Sequence, residues 1–337
     1  MITSCDSHLT LAGWTLCLGE TLFHKQSTVV VSATVLHSPS HEYDGRDAVV
    51  KWNWAPKART AESAFVLSAR RRAERENPRM LDHLPDVFYA GDMESSAAVD
   101  IFGDIASNNF EERVLRVTVQ ERLKPLKDRT LTADELEKAF KAIFDCYRWL
   151  VEAAGILHRD ISVNNLMYRR IDGQIYGVLN DFDLSQFINN SSGFTSDERI
   201  GTIPFMAFDL LNRERPPPTH LPRHDLESLM YALVFLVCEV EGTQLARWRD
   251  LGMQEVHDSK IVTLLEGFPF PKDGFERFLD WTYQLGELFL DAFGARTKAR
   301  RLRLLNGKQQ QPVPEVDDET LGGRLTFDTF ASTLCEL

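Results

Sequence analysis

The sequence is short of features that would set it apart from an ordinary globular chain. Its five cysteines among 337 residues (Cys5, Cys17, Cys146, Cys238 and Cys335) are scattered, and no Cys-x-x-Cys pair occurs. Neither a zinc site nor a disulfide framework is suggested, and reduced thiols in a cytoplasmic or nuclear protein fit best. Long apolar runs are missing too. The most apolar stretch, Leu229 to Cys238 with Val240 just beyond, is too short to span a bilayer and reads as a buried core helix. Met1 to Leu22 has no basic leading region and carries Asp6, so no signal peptide and no membrane partner are expected. Positive charge is not in excess: the net charge is -12, which argues against a nucleic-acid partner. No internal repeat is found. What remains is 43% hydrophobic and 26% charged, long enough for one large domain or two lobes.

Chemistry concentrates between Ile156 and Asp183. His158-Arg159-Asp160 is followed by Ile-Ser-Val-Asn, then Asn165-Leu-Met, and after a short gap by Asn180-Asp181-Phe182-Asp183. This pairing of a catalytic loop with a metal loop is a template of phosphoryl-transfer enzymes. A phosphoryl transition state spreads negative charge over several oxygens, so the enzyme mainly positions groups and neutralises charge. Asp160 can orient an attacking hydroxyl and accept its proton. The Asn165 carboxamide oxygen and the Asp181 carboxylate are hard ligands suited to Mg2+.

The flanking chain supplies the rest of a two-part architecture. Strands are expected at Leu16 to Phe23 and Thr28 to Leu36, with a loop at Gly19 to Ser27 that contains a single glycine and no Gly-x-Gly-x-x-Gly. Ala48-Val49-Val50-Lys51 is close to the strand whose lysine touches the α and β phosphates. Thr60 to Met80 reads as a helix rich in Ala, Arg and Glu. Glu62 is the chosen partner for Lys51, with Glu74 as the alternative. The helix's arginines, Arg70, Arg71, Arg72, Arg75 and Arg79, read as a solvated face. Val114 to Gln120 alternates as a strand does. Asp92 to Asn109 and Asn189 to Asp197 read as loops, the latter with Ser191, Ser192, Thr195 and Ser196. Thr132 to Glu135 forms a capping box that opens an amphipathic helix, and Gly155 ends it. A hairpin is expected from Leu166 to Leu179. Helices are expected near Asp258 to Glu266, Gly274 to Arg296 and Phe327 to Leu337, and Arg296 to Arg303 reads as another solvated face.

These motifs, with Gly201-Thr-Ile-Pro-Phe-Met-Ala207 and His224-Asp-Leu-Glu-Ser-Leu-Met-Tyr231, resemble the eukaryotic protein-kinase superfamily. The similarity is closer to the fungal-type protein kinases. It implies an α+β, two-lobed fold: residues 1–122 as a nucleotide-binding N-lobe and 123–337 as a mostly helical C-lobe. It also implies ATP and Mg2+ as cofactors and a protein substrate bearing a Ser or Thr hydroxyl. By resemblance Asp160 is the catalytic base, and Asn165 and Asp181 are metal ligands. Lys51 is the phosphate lysine and Glu62 its partner. Gln120 lies at the back of the adenine pocket, while Arg122 and Leu123 offer backbone groups to the base. Asp225 braces the catalytic loop, and Asp209 replaces the Glu that ends the activation segment. Arg159 suggests control by loop phosphorylation. Two departures stand out: Ser162 where a lysine is usual, and Asp183 in place of a glycine. The alternatives are a pseudokinase acting as a binding or scaffolding module and, below it, a small-molecule phosphotransferase of the aminoglycoside or choline kinase type.

Overall fold

The computed structural model describes residues 7–25, 27–93, 112–188, 201–212, 218–306 and 317–334. The expected loop at Asn189 to Asp197, and most of that at Asp92 to Asn109, lie outside them. The chain divides into two compact units, Met1–Lys124 and Pro125–Leu337.

The first unit is an antiparallel sheet with one long helix. Its strands are β1 (Ser7–Leu11), β2 (Trp14–Lys25), β3 (Thr28–His37), β4 (Asp47–Pro56), β5 (Val87–Met93) and β6 (Arg113–Glu121). They lie in the order β1-β2-β3-β4-β6-β5. Trp14, Leu16, Ala33, Val35, Val50, Phe88, Val117 and Val119 build its core. The sequence predicts a loop after Gly19, but β2 runs on through Lys25, which faces Thr28 of β3. The β-rich run Val29–Val31 gives that stretch a partner, so pairing extends to the turn. Helix α1 (Glu62–Glu76) buries Phe65, Val66, Ala69 and Ala73, a helical stripe. It is shorter than the predicted Thr60 to Met80. Pro78 has no amide to donate and disfavours helix at the residue before it, so Asn77 leaves the helix and Pro78–His83 forms a 3-10 turn. Cys17 is engaged in a disulfide, contrary to the expectation of reduced thiols.

A two-residue strand, β7 (Lys124–Pro125), sits at the boundary. In the second unit, α2 (Ala133–Trp149) opens on the predicted capping box: Thr132 Oγ1 accepts from the Glu135 amide, and the Glu135 side chain accepts from the Thr132 amide. A π turn, Leu150–Ala154, follows, and Gly155 closes it at φ 66°. Then come β8 (Ile156–Leu157), β9 (Leu166–Ile171), β10 (Gln174–Leu179) and β11 (Gln186–Phe187). β9 and β10 form the predicted hairpin. Asp172 (φ 48°) and Gly173 (φ 79°) make its two-residue turn, and Asp-Gly suits that backbone. The remaining helices are α3 (Phe208–Leu211), α4 (Pro222–Val237), α5 (Gln244–Arg247), α6 (Met253–Glu266), α7 (Leu279–Asn306) and α8 (Phe327–Thr333). From Arg223 to Val237 every residue of α4 is buried. No described helix is long and apolar enough to cross a membrane.

Candidate active site

In the first unit, β4 carries Lys51 and the start of α1 carries Glu62. The two side chains are 9% and 5% exposed, and Lys51 Nζ donates to Glu62 Oε2 at 2.9 Å. Glu74 is exposed on the outer side of the same helix. Gln120 is buried near the end of β6. The segment after it is fixed by backbone bonds: the Glu121 amide donates to Asp86 O and the Arg122 amide to Asp47 O. Leu123 is buried and the Arg122 side chain is exposed.

In the second unit, the β8–β9 connection bears His158, Arg159, Asp160 and Asn165, and the residues after β10 bear Asp181. Two backbone bonds tie these stretches into one frame: the Asn180 amide donates to Asn165 O, and the Asn165 amide donates to Ser162 O. Asp225, in the first turn of α4 and fully buried, holds the loop from below. Its Oδ2 accepts from the amides of His158 and Arg159, both at 3.1 Å. Its Oδ1 accepts from His220 Nε2 at 2.8 Å. Burial would raise this carboxyl, but His220, His158 and the Arg159 amide together outweigh it and the carboxyl falls to about 2. The amides it grips include Arg159, whose φ of 69° is costly for a residue with a side chain. His158 packs edge-on against Phe182 at 5.0 Å. Its Nε2 lies 3.1 Å from Asn180 O, so that nitrogen must carry the proton. Nδ1 is then left to accept from the Asp160 amide at 3.4 Å.

Asp160 is held from two sides. Thr202 donates to Oδ1 through its amide (2.9 Å) and its hydroxyl (2.8 Å). Asn165 Nδ2 donates to the Asp160 carbonyl at 2.7 Å and to Oδ2 at 3.3 Å. Loss of water, then the charge of Asp181, pushes the Asp160 carboxyl up to about 6. Asp181 adopts φ 67°, a conformation that aspartate tolerates better than most residues. Asp183, which stands in place of a glycine, is not in the left-handed region. The Arg159 guanidinium donates to Gln186 Oε1 at 2.9 Å.

Several participants were not singled out from sequence. Thr202 lay inside a quoted motif but had no assigned contact. His220 had no signal at all. Arg296, read as part of a solvated face, instead makes a two-pronged contact with Asp209, at 2.5 and 2.7 Å. Arg223 adds a second cation at 2.7 Å. Burial would raise the Asp209 carboxyl, but His224 and these two cations together hold it well below the ordinary range.

The sheet-and-helix unit, the helical unit and the loop around Asp160 define an α+β fold of the protein-kinase kind. Residues 74–237 match the family described as fungal protein kinase. A 65-residue stretch is 34% identical to the L-type lectin-domain containing receptor kinase I.1 of Arabidopsis thaliana. It covers 19% of this chain and spans 9% of that relative's length. Among solved structures, the BubR1 kinase domain is similar with a TM-score of 0.47 and 15% identity, over 78% of this chain and 84% of that one.

Proposed function

We propose that the protein transfers the γ-phosphoryl group of ATP to Ser or Thr hydroxyls of proteins, with Asp160 as the catalytic base. The observation that supports this most is the Asp160 carboxylate. It is oriented by Thr202 and Asn165 and pushed up to about 6, so it is ionised near neutral pH yet basic enough to accept a hydroxyl proton. In this reading Met1–Lys124 is the nucleotide lobe and Pro125–Leu337 the catalytic lobe.

The donor set fits Mg2+. Asn165 uses its Nδ2 on Asp160, which leaves its carboxamide oxygen for a hard cation, and Asp181 supplies a carboxylate. Bound there, Mg2+ would neutralise charge on the phosphates. Lys51, oriented by Glu62, would meet the phosphates. Gln120 and the backbone at Arg122 and Leu123 would meet the adenine. Ser162, 1% exposed, brings no cation to the γ-phosphate, so Asp160 and the metal ligands carry the chemistry.

A pseudokinase is the second reading, and the first unit favours it. β2 replaces the glycine-rich loop with a paired strand, and a Cβ at its single glycine, Gly19, would come 2.6 Å from Ser32 Oγ. The deciding experiment is transfer of labelled γ-phosphate from Mg-ATP to the protein and to a basic Ser/Thr substrate, with Asp160→Asn alongside. Signal in the wild type that vanishes in the variant supports the kinase. No transfer from the folded wild type refutes it.

A further inference from the structure

Residues 201–211 follow the loop at Asp160 and are fastened at one end by Thr202 and at the other by Asp209. Between those points a second pair of groups takes hold. Lys260 of α6 donates from Nζ to the Met206 carbonyl at 2.5 Å. Glu227 of α4 accepts at Oε1 from the Phe208 amide at 2.8 Å. Both side chains are fully buried. The ammonium lies over the Tyr231 ring at 3.6 Å and 5.1 Å from that of Trp248. Trp248 is itself fixed by its Nε1 donating to Ser259 Oγ at 2.6 Å.

Burying a lysine and a glutamate is costly, and apolar residues of similar volume would generally stabilise such a place as well or better. Burial pulls the amine down to about 7 and pushes the carboxyl up to about 7. What apolar residues could not do is grip one carbonyl and one amide on either side of Ala207. A donor on the carbonyl and an acceptor on the amide fix both peptide planes in one sense only.

Any peptide that presents a hydroxyl to Asp160 must pass close to Thr202, which is bonded to that carboxylate. We propose that Lys260 and Glu227 are positioning residues that set the backbone of residues 203–208 as the surface the acceptor peptide lies against. The proposal rests on the kinase reading above. The pair therefore governs how well a protein substrate binds and leaves ATP use unaffected.

Lys260→Met alone would also change the ionisation of Glu227, so the test is Lys260→Met/Glu227→Gln, with Glu227→Gln as the conservative variant. Glutamine keeps an oxygen for the Phe208 amide. The probe is the best acceptor from a Ser/Thr peptide array. Expected for the double variant is a wild-type urea midpoint and an unchanged KM for ATP. Its peptide KM should rise about tenfold, from the loss of one hydrogen bond to a charged donor, with kcat within about twofold. Amide exchange at 205–208 should quicken by a similar factor. Glu227→Gln alone should keep its peptide KM near that of wild type. A double variant with unchanged peptide KM and unchanged exchange overturns the proposal. If the wild type transfers no phosphate, the kinase reading fails by itself, and the exchange rates still decide whether Lys260 fixes the segment.

Discussion

Two glycines of one hairpin offer a controlled test of what places Asn165 and Asp181. Gly177 of β10 faces α2, and a Cβ there would lie 2.0 Å from Ala139 O, 2.8 Å from its carbonyl carbon and 3.0 Å from its Cα. These are backbone atoms in the middle of a helix, so no flexible side chain can swing away. Relief requires α2 and the hairpin to part by about 1 Å along their contact. Overpacking costs about 1–3 kcal/mol where neighbours can yield, and more where they are backbone. We expect Gly177→Ala to cost about 3 kcal/mol or more, a large share of a stability of roughly 5–15 kcal/mol. Gly173, in the turn of the same hairpin, is the control. It has φ 79° and nothing within 4 Å of where a Cβ would stand, so alanine there meets strain but no obstacle. The expected cost is about 1 kcal/mol. Urea unfolding of both variants decides the matter, with phosphate transfer measured on the same preparations. Gly177→Ala should also lose transfer, because β9 and β10 carry the two proposed metal ligands at their ends. If Gly177→Ala is no more destabilising than Gly173→Ala, the close approach of hairpin and helix does not govern the frame.

Saturating Mg-ATP should raise the melting temperature of the wild type, and Asp181→Ala should abolish the rise; no shift in the wild type would count against nucleotide use. Asp225→Ala removes a charged acceptor from two buried amides, each worth about 1.5–3 kcal/mol, and should cost several-fold more stability by urea unfolding than Asp225→Asn. Burial pulls His224 down to about 3, so the unfolded chain takes up that proton first. Stability from this group is fully present above about pH 6.5 and is lost as pH falls toward 3, by about 1.4 kcal/mol per unit. Urea midpoints from pH 7 to 4 should therefore fall less steeply in His224→Asn, and identical slopes would refute the assignment.

Local signals in the sequence proved reliable where the physics is local. The run Leu166 to Leu179 read as a hairpin, Thr132 and Glu135 announced a helix start, and Gly155 a left-handed stop. Pro78 was legible too, and giving it more weight than the helix-forming run before it would have ended α1 at Glu76. What pattern reading missed depends on distant chain. Arg296 sits in a basic run that looks solvated, and only a partner 87 residues away makes it part of a buried contact. Lys260 lies in an amphipathic helix where a lysine is ordinarily exposed, and nothing nearby marks Met206 as its acceptor. The extension of β2 past Gly19 was hidden because pairing with β3, not the composition of the turn, decides where a strand ends. The pairing of Lys51 with Glu62 rather than Glu74 follows from the apolar stripe, which puts Glu62 on the buried face.

The burial of α4 along nearly its whole length also bears on how the protein is made. A helix that leaves Arg223 to Val237 no exposed side depends on neighbours to cover it. One of these is α7, which begins about forty residues later in the chain. At a synthesis rate of roughly 5–20 residues per second, α4 waits about 2–8 s for that cover. During this interval the emerging chain carries an uncovered apolar segment beside the ribosome. The second unit therefore passes through an interval in which that segment is open to chaperones or to other chains.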